Sequence, residues 1–293
     1  IHFDDTANIA GGVTDVAGTP TDLANVYTHV PGGVGTWAGG VPVLPAPRRE
    51  LGGAELGTGR AMVAGGSATT SATGPALDTT FLFEWNGSIG AWSAGPAMNE
   101  PRMGALVLPA SGDVAIVVGG YNNNVSGGND DFSDDGDVFN WTGSVLQLAP
   151  GPGPQIGASR GWSSVLETTA NQWLVWGGEE GDNSTHDLLD LVELGTWNGS
   201  SISSQTRQSL PTPQRGGTAG LLTGNQILLL GGSTGEYPTN TPANTAAIYD
   251  LVGDSFTNLS PSPGATLGGT AAPLPDGTSL VVIDGAVLRF NPL

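Results

Sequence analysis

Short apolar runs that end in a pair of small turn residues recur along the whole chain. Five runs end in Gly-Gly and a sixth ends in Asp-Gly, and the pairs begin at positions 11, 65, 119, 177, 231 and 284. The steps between them are 54, 54, 58, 54 and 53 residues, which indicates six similar units. A short apolar run bounded by turn residues is typical of a buried β-strand. We therefore expect a strand at each run: Ala7–Gly12, Ala61–Gly66, Ala115–Gly120, Trp173–Gly178, Ile227–Gly232 and Leu280–Gly285.

Other features follow the same period and predict four strands, A to D, in each unit. Tryptophans 56 residues apart precede small turn residues, a strong hairpin signal. Strand A follows an arginine, strand B is the run that ends in the glycine pair, and strands C and D flank the hairpin. The predicted A and C strands include Ala105–Leu108, Ala219–Leu222, Thr80–Trp85 and Ala247–Tyr249, with D strands near Trp37, Trp92 and Phe256.

A unit of four antiparallel strands cannot bury both of its faces alone. Units stacked radially around an axis bury both faces and leave no long exposed edge. The sequence therefore predicts an all-β chain that folds as one six-bladed β-propeller over residues 1–293. The approximate blades are 1–47, 48–101, 102–159, 160–214, 215–266 and 267–293. Ile1–Phe3 either completes the sixth blade as its outer strand or forms the stub of strand A in the first blade.

The Gly-Gly placement, the arginine before strand A and the aromatic residues on strands C and D resemble the kelch repeat. The segments ILLLGGSTG, AAIYDLVGDSF and LPDGTSLVVIDG are most similar to kelch-type repeats of bacterial secreted proteins. The resemblance covers essentially the whole chain and implies a propeller of four-stranded blades. It implies little about function, because propellers serve as enzymes, binding modules and scaffolds.

Charge and composition exclude several classes of partner. The chain has 8 Arg, no Lys and 27 acidic residues, for a net charge of −19. Such a surface repels nucleic acid and anionic lipid, and no apolar stretch is long enough to insert into a membrane. With no Cys and only three scattered His, we expect no zinc or copper centre and no redox cofactor.

Four arginines and one tryptophan form the predicted ligand site. Arg48, Arg102, Arg160 and Arg215 lie 17, 17, 17 and 16 residues before their glycine pairs. Strand A of a meander begins at the end where strand B finishes, so these arginines share a face with the B–C loops. They bind an anion or carboxylate, or they pair with backbone carbonyls and blade carboxylates. Trp162 has no counterpart in the other units and either stacks on a sugar or fills the core.

The loop 121–137 is a candidate calcium site. It carries five Asp and four Asn, and Asp131, Ser133, Asp135 and Asp137 offer oxygen ligands at alternate positions. The twelfth position lacks the bidentate Glu, so the segment is not an EF-hand. Calcium binding and a solvated acidic loop are the two alternatives. The acidic segment 179–190, which contains His186, belongs to the next unit.

Six sequons are candidate glycosylation acceptors, and three of them lie at the repeated tryptophan hairpin, where turn chemistry also explains them. They are Asn86, Asn124, Asn140, Asn183, Asn198 and Asn258. We expect a secreted or cell-surface protein that binds a protein or polysaccharide partner in an extracellular assembly without catalysis. The alternative is a carbohydrate-active enzyme, a polysaccharide lyase or glycoside hydrolase, that uses channel-face carboxylates and an arginine.

Overall fold

The computed structural model describes residues 2–3, 6–10, 19–28, 36–38, 41–70, 74–123, 131–182, 185–259, 269–273, 279–283 and 286–290. Over these residues the chain consists of β-strands with a single turn of 3-10 helix at Thr223–Asn225 and no α-helix. The described part contains no helix with the length and apolarity needed to cross a membrane. The expected all-β class is confirmed.

The chain forms two compact units. The first comprises Ile1–Gly161 and Trp197–Ile202, and the second comprises Trp162–Thr196 and Ser203–Leu293. The six antiparallel sheets that contain the repeated apolar runs follow one another in chain order, and we number them one to six. Sheets one to three belong to the first unit. Sheets four to six belong to the second, apart from the hairpin tip of sheet four.

The three sheets of the first unit each have four strands, with the first strand paired to the second, the second to the third and the third to the fourth. Sheet one contains His2–Phe3, Thr6–Ala10, Ala24–Thr28 and Thr36–Trp37. Sheet two contains Gly52–Glu55, Arg60–Ala64, Thr80–Trp85 and Gly90–Ala94. Sheet three contains Leu106–Ala110, Val114–Val118, Gly136–Trp141 and Leu146–Leu148.

The second unit repeats this order. Sheet four contains Ser164–Thr169, Gln172–Trp176, Val192–Trp197 and Ile202–Thr206. Sheet five contains Thr218–Leu221, Gln226–Leu230, Ala246–Asp250 and Ser255–Asn258. Sheet six has three described strands, Gly269–Pro273, Ser279–Ile283 and Ala286–Phe290.

Each of the six apolar runs is a strand and lies second in its sheet, as the spacing predicts. The terminal pairs Gly11-Gly12 and Asp284-Gly285 themselves lie outside the described residues. His2–Phe3 pairs with Thr6–Ala10 and so takes the strand A position of sheet one, which is the second of the two arrangements considered for the N-terminus.

Two short hairpins lie in segments that the sequence predicts as loops. Tyr121–Asn122 pairs with Asp131–Phe132 in the first unit. Glu179–Asp182 pairs with Thr185–Leu188 in the second unit. Each hairpin directly follows a glycine pair, so polar residues after strand B are held at defined positions by backbone pairing.

The repeated apolar faces pack against one another within each unit. In the first unit, residues of sheets two and three form one buried cluster that includes Met62, Leu82, Val117 and Phe139. In the second unit, Trp176, Ile227, Leu229 and Tyr249 belong to the corresponding cluster of sheets four and five. Phe139 and Tyr249 lie on third strands, directly opposite Ala115 and Ile227 of the second strands.

Steric crowding explains why the first residue of the pair is glycine. Gly65 and Gly177 have φ angles of 66° and 61°, which favour glycine. A Cβ at Gly65 would collide with the carbonyl oxygen of Arg102, and a Cβ at Gly177 would collide with that of Gln214. The link to the next sheet therefore passes directly over the glycine, and the pair fixes this crossing.

Candidate functional site

The repeated arginines are buried inside the fold. Arg48 is 2% exposed, and its Nη1 donates to the Gly65 carbonyl at 3.0 Å and to the Thr79 carbonyl at 3.3 Å. Arg102 repeats the pattern, with Nη1 donating to the Gly119 and Asp135 carbonyls at 2.9 and 3.2 Å. Both guanidinium groups thus tie the glycine pair to the start of the third strand.

Arg160 is also buried, at 1% exposure. Arg102 also contacts two carboxylates, Asp135 Oδ1 at 2.5 Å and Glu100 at 3.6 Å. Of the two alternatives for the arginines, the contacts of Arg48 and Arg102 match pairing with backbone carbonyls and blade carboxylates. Recognition of a carboxylate ligand by Arg48, Arg102 and Arg160 stays a prediction.

Arg215 does not occupy the fourth of these equivalent positions. The amide of the second glycine donates one hydrogen bond to the link in three repeats, from Gly66 to the Arg102 carbonyl, from Gly120 to the Arg160 carbonyl and from Gly178 to the Gln214 carbonyl. Gln214 also lies 17 residues before its glycine pair, as Arg48 and Arg102 do, whereas Arg215 lies 16 before. Gln214 is therefore the structural counterpart, and the side chain of Arg215 takes a different direction.

In the second unit, Arg215 forms a buried ion pair with Glu179. Its Nε lies 2.6 Å from Glu179 Oε1, and the two residues are 7% and 0% exposed. The guanidinium also donates to the Gly235 and Thr239 carbonyls, each at 3.0 Å, and to Asn240 Oδ1 at 2.7 Å. One buried cation thus holds three points of the segment that follows strand B of sheet five.

Glu179 is contacted from three directions. Besides the ion pair with Arg215, the Tyr237 amide donates a hydrogen bond to Oε1 at 2.6 Å, and His186 Nδ1 lies within hydrogen-bond distance of Oε2, at 3.0 Å. Burial raises the pKa of the Glu179 carboxyl, although Arg215, His186 and the Tyr237 amide each act to lower it. The hairpin register explains why Glu179 and His186 meet. Glu179 and Gly181 lie on the same face of their strand, and His186 is directly opposite Gly181.

Two aromatic rings cover this ion pair. Trp162 stacks on Tyr237 with ring centroids 4.4 Å apart and an angle of 15° between the planes. The Arg215 guanidinium lies 5.5 Å from the Tyr237 centroid and 6.0 Å from that of Trp162. His186 lies 6.3 Å from Trp162. Trp162 is 9% exposed, so it is largely a packed residue.

Trp162 has a left-handed backbone conformation, with φ of 52°. The residues at the equivalent position, two after the buried Arg or Gln, are Glu50, Gly104 and Gly216, all with positive φ. A tryptophan there costs backbone energy that glycine avoids. The site therefore keeps a large ring where other repeats have a small or polar residue.

Together these residues, Trp162, Glu179, His186, Arg215 and Tyr237, form a set that we call the anchor cluster. It holds the segment 234–240, which we call the anchored loop. In this loop Glu236, Pro238, Thr239 and Asn240 are exposed while their backbone is fixed from below. The Glu179 carboxylate is fully buried and already has partners within the fold, so it is suited to a structural role. The exposed side chains of the anchored loop are suited to contacting a partner.

The described part of the proposed calcium loop uses its oxygens elsewhere. Asp135 Oδ1 accepts from Arg102 Nη2 and from Ser133 Oγ, each at 2.5 Å. Asp137 is 1% exposed and accepts from the amide and side chain of Asn99. Burial raises the pKa of Asp137. Asp131 lies in a strand, but its side chain is outside the described residues.

Over the described residues no group of three or more His, Asp or Glu is arranged to hold a metal ion. Calcium binding therefore stays a prediction. It depends on residues 124–130, which lie outside the described residues, and on Asp131, of which only the backbone is described.

The sequons have three kinds of placement. Asn86 and Asn198 are exposed, and each side-chain oxygen accepts amide hydrogen bonds two and three residues on, which is turn chemistry. Asn140 and Asn258 lie in strands. Asn124 and Asn183 lie outside the described residues. Glycosylation stays a prediction.

Comparison with known proteins identifies the fold but no family. No protein-family model matches the sequence, and no curated protein matches it. The solved structure of YjhT is similar over 83% of this chain and 74% of that chain, with a TM-score of 0.62 and 16% sequence identity. The chain is thus an all-β protein whose repeated four-stranded antiparallel sheets are consistent with a β-propeller-like fold. The kelch repeat remains a resemblance.

Proposed function

We propose that this chain is a six-bladed, kelch-like propeller that acts as a non-catalytic binding module for a protein or polysaccharide in an extracellular assembly. The five near-equal steps, the six sheets that contain the repeated runs and the likeness to YjhT support the architecture. The resemblance to repeats of secreted proteins supports an extracellular setting.

One observation supports the binding function: residues that depart from the repeat hold an exposed loop in place. At the position of Glu179, two residues after the first glycine of the pair, the neighbouring sheet five has Ser233. Arg215 and Glu179 hold the anchored loop through Gly235, Tyr237, Thr239 and Asn240, contacts that restrict its conformations before a partner binds. Preorganisation of this kind reduces the entropy lost on binding.

The test is a binding screen of the purified chain against glycan and protein arrays. The loop variant Glu236→Ala/Thr239→Ala removes exposed side chains but keeps the backbone contacts of the loop. The matched control, Glu84→Ala/Ser93→Ala, changes two exposed strand residues of sheet two. The proposal expects the wild type and the control to share ligands that the loop variant loses. It fails if the wild type binds nothing, or if the loop variant retains every ligand.

A carbohydrate-active enzyme is the second candidate, favoured by one observation. A buried carboxyl with a raised pKa beside an arginine and a histidine is also what acid–base catalysis requires. Release of reducing ends or unsaturated uronates from dissolved polysaccharides by the wild type, lost in Glu179→Gln, would favour the enzyme. Polysaccharide that is bound but recovered intact favours the binding module.

A further inference from the structure

A cavity of about 220 Å³ lies in the second unit, between sheet five and the link that leads into it. Gln214, Leu229 and Ala247 form part of its wall, and all are buried. Thr212 and Asn244 line it as well and are exposed, so the cavity has a buried side and a side toward solvent.

The equivalent place in sheet two is filled. There Leu44, Val63 and Phe81 pack together, and the Arg48 guanidinium lies 4.4 Å from the centroid of the Phe81 ring. Register identifies the counterparts: Val63 is opposite Phe81, and Leu229 is opposite Ala247. Compared with sheet two, sheet five has Gln214 in place of an arginine and Ala247 in place of a phenylalanine, and these two smaller side chains account for the open space.

The polar end of the cavity has fewer donors than an arginine supplies, because the Gln214 amide carries two N–H groups where a guanidinium carries five. In sheet two, Arg48 gives hydrogen bonds to Gly65 O, Thr79 O and Thr79 Oγ1. In sheet five, one Thr245 hydroxyl proton faces both Gln214 Oε1 at 3.2 Å and the Gly231 carbonyl at 3.3 Å. Two acceptors thus share one donor where a guanidinium would provide several.

We propose that this cavity, lined by Gln214, Leu229, Thr245, Ala247 and Phe256, is a receptor for the arginine side chain of a partner protein. The apolar wall accepts the aliphatic stem and the planar face, and Gln214 Oε1 and the nearby Gly231 carbonyl accept from the N–H groups. A guanidinium remains protonated in such a place, because burial lowers the pKa of Arg48 only to about 10. The net charge of −19 attracts a basic partner.

The experiment titrates the chain with a capped Gly-Arg-Gly peptide and with the same peptide carrying citrulline, whose urea group has the shape of guanidinium without its charge. Binding is followed by amide chemical shifts of Thr245, Ala246 and Ala247. Charged hydrogen bonds lead us to expect the citrulline peptide to bind at least about tenfold more weakly. The proposal is overturned if the two peptides bind equally, or if these amides do not respond to the arginine peptide.

Two substitutions should close the cavity from opposite sides. Gln214→Arg restores the side chain of the other repeats, and Ala247→Phe restores the ring, so each should abolish the response to the arginine peptide. If one variant fails to fold, the other still decides. The reverse exchange, Arg48→Gln/Phe81→Ala, should create a second responding site in sheet two. Retained binding in both cavity-filling variants would attribute the effect to the acidic surface and refute the site.

Discussion

Breaking the buried Glu179–Arg215 pair should destabilise the second unit by an amount that depends on which partner is removed. The repeat supplies suitable replacements, because Ser233 occupies the position equivalent to Glu179 and Met103 the position equivalent to Arg215. Glu179→Ser leaves the guanidinium buried without its carboxylate, and loss of one partner of a buried pair costs about 3–5 kcal/mol. For a chain of this size such a loss lowers the melting temperature by on the order of 10 °C.

The double variant Glu179→Ser/Arg215→Met should be more stable than the sum of the single changes predicts. With both charges removed, no charge is left buried without a partner. The remaining cost comes from loop carbonyls such as Gly235 O, which lose their guanidinium donor. We expect a coupling energy of at least about 2 kcal/mol from unfolding in denaturant followed by tryptophan fluorescence. Additive effects would mean that the ion pair does not stabilise the fold.

The pH dependence gives a second readout of the same pair. Burial raises the folded-state pKa of Glu179 above its ordinary value, so the folded state holds this proton more tightly than the unfolded state does. Its contribution to stability therefore falls as the pH rises from the ordinary Glu range through the raised pKa. Arg215→Met removes the nearest positive charge and raises this pKa further. The cost of Arg215→Met should shrink on acidification, and a cost that grows toward low pH would contradict the argument.

Three further substitutions test other parts of the structure. At Trp162, where φ is 52°, Trp162→Gly should be more stable than Trp162→Ala by about 1 kcal/mol in thermal melts, the reverse of the usual order. Burial raises the pKa of Tyr249 to about 12, so stability should fall between about pH 10 and 12, and Tyr249→Phe should remove about 2 kcal/mol of that loss. Glu180 and Asp187 are exposed and directly opposite in their hairpin, so Asp187→Lys should stabilise it by about 0.5 kcal/mol, an effect that hydrogen exchange should show and that added salt should weaken.

The strand framework was predictable because it depends on spacing and local pattern. The strand Thr80–Trp85 has the predicted bounds, and the observed strand Leu106–Ala110 overlaps the predicted Ala105–Leu108. Turn residues and apolar runs fix such elements locally. The hairpin Glu179–Asp182 with Thr185–Leu188 was not predicted, because its polar residues carry no apolar alternation to distinguish a strand from a loop.

Residue type alone points to Arg215 and Trp162 but not to their contacts with Glu179 and Tyr237, because backbone register decides which way the Arg215 side chain points. Choosing Arg215 as the fourth arginine required an offset of 16 where the others have 17, and that difference of one residue was the available signal. In an extended segment a shift of one residue turns a side chain to the other face. Arg215 consequently meets Glu179, and Gln214 takes the position beside Thr245.

A repeated fold makes departures from the repeat informative. Where Arg48 and Arg102 recur, their guanidinium groups satisfy equivalent carbonyls, so recurrence is explained by folding alone. Folding alone does not explain why the second unit gives up an arginine at Gln214, or why it keeps a tryptophan in a left-handed conformation at Trp162. Each departure has a cost in packing or backbone energy that the common residue would avoid. The proposed binding at the anchored loop and at the cavity would account for both departures.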